Sequence, residues 1–229
     1  MSIADNYRRI TDAVAEAALR SGRRPEDVEV IAVTKFVPVE RIAEAVAAGA
    51  RSIGENRVQE FREKLEFFDA CGVRKSIIGQ LQSNKVKYVL GKCDLIQSVD
   101  RLSLAEEISR RASAMGIVQD VLVEVNIGGE EQKGGIAPES AEALITVISG
   151  LPGIAVKGLM CIPPVLGAVE LRKCFASMRE LFERLASGTA NGARMQHLSM
   201  GMSGDYIAAI EEGANMVRIG SALFGERTR

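Results

Sequence analysis

The sequence predicts an α/β fold, a (β/α)₈ barrel of the TIM type with one extra helix in front of the first strand. Eight short, strongly apolar runs follow one another along the chain, and segments with helical spacing separate them. The runs do not alternate cleanly between apolar and polar residues, which is typical of parallel strands buried on both faces. The length of 229 residues fits a barrel without large insertions, since about 250 residues is typical.

The elements follow in a regular order. Apolar residues at steps of three and four predict a first helix over residues 3–17, and the sequence SGRRP at 21–25 ends it. The same spacing at 104–115 and 171–185 indicates helices whose apolar stripes pack on the sheet. The eight strand candidates are residues 28–35, 51–55, 76–79, 95–99, 121–127, 155–161, 196–200 and 216–219.

A doubly wound open sheet is the alternative to a barrel. If such a sheet bound a dinucleotide, a glycine-rich turn would follow its first strand. Residues 34–38 (TKFVP) contain no glycine. No linker and no change of composition divides the chain. We therefore expect one domain that covers residues 1–229.

The composition excludes several classes of function. The chain has 29 Lys and Arg residues against 30 Asp and Glu, and 4% aromatic residues, which argues against a nucleic-acid surface. No apolar run approaches the roughly 18 residues that span a bilayer, and charges recur through residues 1–18, unlike a signal peptide. One histidine and four widely spaced cysteines argue against a zinc site and predict reduced thiols in a cytoplasmic protein.

Lys35 is the first candidate for a functional residue, because it closes the first predicted strand. Functional residues of such barrels gather at the carboxyl ends of the strands. A lysine there is commonly solvated, with its stem along apolar surface. The functional alternative is an amine that the barrel mouth desolvates and that forms a Schiff base with an aldehyde.

The loops after the seventh and eighth strands each carry glycine next to serine. Ser203 lies in 198–205 (LSMGMSGD), and Ser221 follows Gly220 in 217–225 (VRIGSALFG). The two serines either cap helices or, with neighbouring backbone N–H groups, bind phosphate, as these two loops commonly do in such barrels. Arg218 lies inside the apolar last strand and needs a structural or ligand partner, because an unpaired buried guanidinium is costly.

Two further features are not expected to carry function. Residues 128–135 (GGEEQKGG) lack the Lys-Ser/Thr pair of a P-loop, so Lys133 is at most a basic residue at the edge of the barrel mouth. His197 has no partner at motif spacing and is expected to be structural. A lysine on the first strand with an anion site after the last two predicts a phosphorylated aldehyde as ligand. Pyridoxal 5′-phosphate (PLP) and the sugar phosphate of an aldolase both suit these parts.

A series of motifs then decides between the two ligands. They occur in order at 33–35 (VTK), 54–60 (GENRVQE), 78–85 (IGQLQSNK), 158–160 (GLM), 198–203 (LSMGMS) and 217–221 (VRIGS). Together they resemble the pyridoxal phosphate homeostasis protein family, whose single barrel is similar to the N-terminal domain of alanine racemase. The resemblance runs from about residue 28 to residue 225, nearly the whole chain.

The resemblance implies a cofactor site of eight residues. Lys35 would form the internal aldimine with PLP. Arg218 would face the pyridine nitrogen, and because a guanidinium cannot protonate the ring as an aspartic acid would, the cofactor becomes a weaker electron sink. The phosphate would be held by Ser203, Gly220 and Ser221, with Ser199 as a further member, and the pocket would be lined by Asn56 and Met160.

The resemblance also bears on activity. Related racemases carry a second domain, and the partner subunit supplies a tyrosine as second base; here Arg229 follows directly after the barrel, and Tyr7, Tyr88 and Tyr206 lie in predicted helical segments. A mouth open to water without that base suits stereochemical inversion poorly. We therefore expect a monomeric or weakly dimeric carrier that binds PLP reversibly, buffers it and passes it to apo-enzymes.

Two other functions stay open at this point. One is a weak PLP-dependent amino-acid racemase or another enzyme that works through a lysine aldimine. The other is a barrel that binds no cofactor and serves only as an interaction scaffold. If the protein were only a scaffold, Lys35, Ser203 and Arg218 would come together at one end of the barrel without a functional reason.

Overall fold

Eight parallel strands form a closed barrel in the computed structural model, which describes residues 2–130, 134–188 and 193–225. The strands are β1 (Glu29–Val33), β2 (Ser52–Glu55), β3 (Arg74–Ile77), β4 (Leu95–Val99), β5 (Gln119–Val125), β6 (Ile154–Cys161), β7 (His197–Met202) and β8 (Met216–Ile219). Each strand pairs with the next one along the chain, and β1 also pairs with β8, which closes the ring.

Helices surround this barrel. They are α1 (Ile3–Arg20), α2 (Val39–Ala47), α3 (Val58–Cys71), α4 (Leu102–Ala114), α5 (Ala141–Ser149), α6 (Ala168–Ser187), α7 (Tyr206–Glu211) and α8 (Ser221–Phe224). Short 3₁₀ helices occur at Pro25–Asp27, Ser83–Tyr88 and Pro138–Ser140. An α-helix follows every strand except β3, where the 3₁₀ helix Ser83–Tyr88 makes the connection. The predicted barrel is confirmed, as is the extra helix in front of it.

The extra helix α1 completes the outer ring where the last helices are short. It begins with a capping box, in which the Ser2 hydroxyl and the Asp5 carboxylate each accept the backbone N–H of the other residue. Its buried residues include Ile10, Val14 and Ala17. It packs against α2, α7 and the four-residue α8, and the Asn6 side chain donates to the Leu223 carbonyl at 3.0 Å.

The barrel interior has an apolar layer with a polar layer above it. Ile31, Leu95, Leu122, Met160 and Met216 form a buried apolar cluster that is separate from the core between sheet and helices. Side chains two residues further along a strand point to the same face. That second layer includes the apolar Val33 and Ile162, and four polar residues at this depth are buried: Gln97, Glu124, Ser199 and Arg218. This polar layer forms the floor of the carboxyl end of the barrel.

His197 and the side chains of the four cysteines lie away from this floor. His197 begins β7, at the opposite end of the barrel from the carboxyl ends of the strands, and burial lowers its pKa. Within the described residues, no helix is long and apolar enough to cross a membrane, and no cluster of potential metal ligands occurs. The four cysteines are free thiols. Lys133 lies outside the described residues.

Candidate functional site

A cavity of about 600 Å³ opens at the carboxyl ends of the strands. It is formed mainly by the ends of β1, β2, β7 and β8 and the loops that follow them. Ile78, Ile162 and Met202 supply apolar parts of its wall. Six of the eight residues that the sequence singled out line it: Lys35, Asn56, Ser203, Arg218, Gly220 and Ser221.

The other two residues lie deeper in the barrel. Met160 belongs to the apolar layer beneath the cavity and is completely buried. Ser199 is also completely buried and touches Arg218. Neither residue is part of the cavity wall. Their positions suit support of the lining residues better than contact with a ligand.

Lys35 lies in a tight turn two residues beyond the end of β1. The Val37 N–H donates to the Thr34 carbonyl at 3.0 Å, so that Lys35 and Phe36 are the two central residues of a four-residue turn. Phe36 has a φ of +60°, the only positive value at a non-glycine residue in the described ranges. This conformation costs an L-residue about 1–2 kcal/mol. Other contacts must therefore hold the turn.

Contacts from α3 and the residue before it hold Phe36. Its backbone N–H donates to Glu60 Oε2 at 2.6 Å. The Arg57 guanidinium lies 4.9 Å from the centroid of its ring, which is 55% exposed. The first contact uses a charged acceptor, which makes a stronger hydrogen bond than a neutral one. Together they keep the backbone after Lys35 in the left-handed region.

A buried ion cluster of Lys64, Glu55 and Glu60 fixes the other side of the turn. Lys64 Nζ donates to the Thr34 carbonyl at 2.7 Å, to Glu55 Oε1 at 2.7 Å and to Glu60 Oε2 at 3.4 Å. The Thr34 hydroxyl also donates to Glu55 Oε1, at 2.7 Å. Burial raises the pKa of Glu55, while Lys64 and Thr34 oppose that rise.

The cluster reaches both neighbours of Lys35. Lys64 bonds directly to the carbonyl of the residue before it, and through Glu60 it is linked to the N–H of the residue after it. The backbone that carries the Lys35 amine is thus fixed on both sides by groups from α3 and β2. Because the backbone is fixed, the Lys35 amine moves only through rotations of its own side chain.

Arg218 is held from below by two protein acceptors. Nη1 donates to the Ser199 hydroxyl at 2.6 Å, and Nη2 donates to the Cys161 carbonyl at 2.7 Å. Ser199 in turn donates to Gln97 Oε1 at 2.7 Å. Arg218 is 3% exposed and still contributes to the cavity wall. The chain of hydrogen bonds therefore sets the direction in which the guanidinium faces the cavity.

Two acids, the buried Glu124 and the half-buried Asp205, lie near the charge of Arg218. Burial lowers the pKa of its guanidinium, and Glu124 and Asp205 oppose this effect. Burial also raises the pKa of Glu124 to about 7, with Asp100 adding to the rise and Arg218 acting against it. An arginine does not lose its proton in proteins. The wall beside β8 therefore presents a fixed positive charge to the cavity.

Ser203 links the two loops that were expected to bind phosphate. Its hydroxyl oxygen accepts the backbone N–H of Gly220 at 3.1 Å and that of Ala222 at 3.2 Å. The capping role considered for this serine thus applies across two loops, to the start of α8. The contact also brings the hydroxyls of Ser203 and Ser221 to the same side of the cavity, where both line the wall.

Asn56 provides a polar group on the opposite side. Its Oδ1 atom is buried and has no hydrogen-bond partner among the described residues. The backbone here is tightly packed: a Cβ on Gly79 would lie 2.4 Å from the Asn56 carbonyl oxygen. A buried acceptor without a donor is costly unless a ligand completes it. Solvent does not reach Oδ1, so a bound group would meet other atoms of Asn56, which lines the cavity.

Sequence reasoning assigned no role to the ion cluster or to Glu124 and Gln97. A signal for Lys64 exists, because it shares a helical stripe with the buried Phe61 and Phe68 of α3. A lysine on such a stripe requires a buried partner. The partner, Glu55, ends β2, and only the three-dimensional fold places the two together.

The chain is similar to known proteins over its full length. The family model described as "Alanine racemase, N-terminal domain" matches residues 3–228. A protein of Aquifex aeolicus named "Pyridoxal phosphate homeostasis protein" is 46% identical over 228 residues, 99% of each chain. A protein of the same name from Escherichia coli K12 is 37% identical over 228 residues, 98% of this chain and 97% of the other.

Solved structures agree. PipY of Synechococcus elongatus PCC7942, with PLP bound, is 38% identical and has a TM-score of 0.80, covering 93% of this chain and 100% of that one. An alanine racemase of Clostridium difficile shares the fold, with a TM-score of 0.77 at 17% identity, and the match covers 60% of its length. The chain therefore belongs to the alanine racemase N-terminal-domain family and, within it, to the pyridoxal phosphate homeostasis proteins.

Proposed function

We propose that this protein binds pyridoxal 5′-phosphate reversibly through Lys35 and acts as a carrier that buffers the cofactor and delivers it. One observation supports this most directly. A single cavity brings together an amine, a fixed guanidinium and two serine hydroxyls, in a family whose relatives are named for PLP homeostasis. PipY, which is similar over nearly all of this chain, has a structure with PLP bound.

The residues present fit the cofactor. The serine side of the cavity offers the hydroxyls of Ser203 and Ser221, which can donate to a phosphate group. Gly220 lies between them in the wall, with its N–H donated to the Ser203 oxygen. Lys35 offers an amine for the aldehyde. Asn56 adds a polar residue to the wall of the cavity. A cavity of about 600 Å³ lies within the usual size range of sites for small ligands.

Each group has a definite role in this proposal. Lys35 would hold the cofactor through its amine, which would bond covalently and reversibly to the aldehyde carbon of PLP. When bound, PLP supplies an electron sink. Arg218 would face the ring nitrogen, and because it donates hydrogen bonds without giving up its proton, the nitrogen stays unprotonated and the sink is weak. Ser199 and Met160 would support Arg218 and the cavity floor.

An enzymatic role, as a weak racemase or another lysine-aldimine catalyst, is the second candidate. The barrel that this chain shares with alanine racemase favours it. Against it, none of the three tyrosines is among the residues that line the cavity within the described ranges. Tyr7 donates to the Gly49 carbonyl at 3.1 Å, on the outside of the barrel. The carrier therefore accounts better for the geometry.

The remaining parts of the proposal follow from the chain as a whole. Residues 1–229 would act as one cofactor-binding unit, as a monomer or weak dimer, with apo-enzymes that need PLP as recipients. Four free cysteines suit the reducing cytoplasm.

The test begins with an absorption spectrum of the purified protein, before and after addition of PLP. Borohydride reduction and peptide mapping then locate the modified lysine. We expect a visible aldimine band and a pyridoxyl adduct on Lys35. Lys35→Ala should abolish both, whereas the exposed Lys173→Ala should change neither. An adduct on another lysine, or no band with added PLP, would refute the site.

The same protein separates carrier from catalyst. It is incubated with PLP and L-amino acids, and chiral chromatography measures D-amino acid over time. The carrier predicts no accumulation above the Lys35→Ala background. Accumulation that depends on Lys35 would instead establish the enzymatic role.

A further inference from the structure

A second groove lies beside the cofactor cavity. It has a volume of about 650 Å³ and is formed by the start of α3, the loop after β3 and the 3₁₀ helix Ser83–Tyr88. Arg57, Arg62 and Lys85 line it, and Glu63 is the only carboxylate among the described lining residues. Asn56 lines both the groove and the cofactor cavity. The two sites are therefore adjacent.

The cations of this groove have no acidic partners. Arg57, Arg62, Lys85 and the neighbouring Lys87 make no ion pair with any described residue, although ion pairs are common elsewhere on this surface, as for Arg20, Arg110 and Arg172. Like charges that gather without a counter-charge repel one another. A cation cluster of this kind indicates an anionic partner.

Aromatic rings hold these cations in place. The Arg62 guanidinium lies 4.5 Å from the centroid of the Tyr88 ring, and Lys87 and Lys85 lie 5.0 Å and 5.8 Å from it. Contacts of this type are attractive but leave the hydrogen-bond donors of the cations available. Those donors can still bind a carboxylate.

The start of α3 adds a second, independent attraction for an anion. This helix has 14 residues, and Arg57 at its N-cap makes no capping hydrogen bond with its side chain. The backbone N–H groups of a first helical turn have no partners inside the helix, and the helix dipole makes this end positive. The groove lies at that end, since it includes Arg57, Val58 and Gln59.

The composition of the groove favours a polypeptide as the ligand. Small-molecule sites bury most of their ligand, whereas Arg57, Arg62 and Lys85 are exposed. Arginine and aromatic residues are enriched at protein–protein interfaces. The half-exposed Phe36, under Arg57, extends this surface towards the cavity mouth.

We propose that this groove binds an acidic polypeptide segment of a protein that docks beside the cofactor cavity. That the docked protein is a recipient of PLP rests on the proposed function; the binding of an acidic segment does not. Its carboxylates would contact Arg57, Arg62 and Lys85 and the first turn of α3. The position would bring the partner next to the mouth from which the cofactor leaves.

The test uses a fluorescein-labelled peptide of about ten glutamates, with fluorescence anisotropy as readout at about 50 mM salt, where surface charges are weakly screened. A glutamine peptide of equal length is the control ligand. We expect the glutamate peptide to bind and the glutamine peptide not to bind. The double variant Arg62→Gln/Lys85→Gln should weaken binding of the glutamate peptide about fivefold to tenfold. The control Lys173→Gln/Arg184→Gln, which removes the same charge from the exposed side of α6, should weaken it less than about twofold.

Three outcomes would overturn the proposal: no binding of the glutamate peptide, equal loss in both double variants, or full displacement of the peptide by millimolar inorganic phosphate. The last would indicate a small-anion site. Circular dichroism checks that both variants are folded. Lys35→Ala should bind the peptide as the unmodified chain does, with or without PLP. Failure of the cofactor proposal is thereby separated from failure of this one.

Discussion

Replacement of Lys64 by methionine tests whether the buried ion cluster holds the turn that carries Lys35. Methionine has similar length and no charge, so the change leaves Glu55 buried, at 0% exposure, without its cation. Removal of one partner of a buried ion pair typically costs about 3–5 kcal/mol. For a chain of this size, that corresponds to a fall in Tm of roughly 6–20 °C. Urea unfolding and differential scanning calorimetry measure both.

The loss should depend on pH. Burial raises the folded-state pKa of Glu55, and without Lys64 the opposing effect on this pKa is smaller. A carboxyl whose folded pKa is raised favours the folded state below its unfolded pKa, and that contribution disappears as pH rises through the folded pKa. The variant should therefore be least stable, relative to the unmodified chain, at about pH 8 and recover part of the loss at about pH 5.

Lys75→Met is the matched control. Lys75 pairs with Asp69 at 2.8 Å, but the Asp69 side chain is 58% exposed, and exposed ion pairs contribute about 0–1 kcal/mol. The double change Lys64→Met/Glu55→Gln should lose less than Lys64→Met alone, because it removes the unpaired charge at Glu55, while Glu60 keeps the hydrogen bond from the Phe36 N–H. If Lys64→Met costs no more than Lys75→Met, or if its cost does not depend on pH, the cluster does not hold the turn.

Three further changes test other parts of the structure. Ser199→Ala removes an acceptor of buried Arg218 and should lower the free energy of unfolding by about 1.5–3 kcal/mol in urea; a change below about 0.5 kcal/mol would contradict the network. The unmodified chain should lose stability as pH rises from about 4.5 through about 7, because the folded-state pKa of the Glu124 carboxyl is raised to about 7. Glu124→Gln should remove this loss, and unfolding curves of equal pH dependence for the two proteins would refute the prediction. Gly158→Ala should unfold most of the protein, since the residue has a φ of +152° and the added Cβ would lie 1.9 Å from a backbone oxygen; Gly150→Ala, where the nearest atom is 3.5 Å away, should be tolerated.

The barrel could be predicted from the sequence because its strands are local apolar runs. β4 and β8 have the predicted bounds, 95–99 and 216–219. β1 was predicted to reach Lys35 but ends at Val33. The left-handed backbone at Phe36, which ends the run, depends on Glu60 and Arg57 from outside the strand. Local residue propensities do not reveal tertiary contacts of that kind.

The candidate site could likewise be predicted only in part from the sequence. Lys35 and the two serines follow strand ends, and Arg218 lies one residue before the end of β8, so a barrel brings them together wherever the strands are found. The depth of a residue is harder to predict. β7 runs to Met202, two residues beyond its predicted end at residue 200, so Ser199 lies three residues before the end of the strand, and it lies under Arg218. A shift of two residues in a strand boundary decides whether a side chain is expected in the cavity wall or in the floor beneath it.

Bonds between protein groups hold the turn around Lys35, and they join Thr34, Phe36, Glu55, Glu60 and Lys64. A ligand stabilises the fold that binds it in proportion to its occupancy, so a site built around its ligand would weaken each time the ligand left. The bonds of this turn come from the chain itself, so in the proposed carrier the aldehyde would bind and leave without a cycle of local unfolding and refolding.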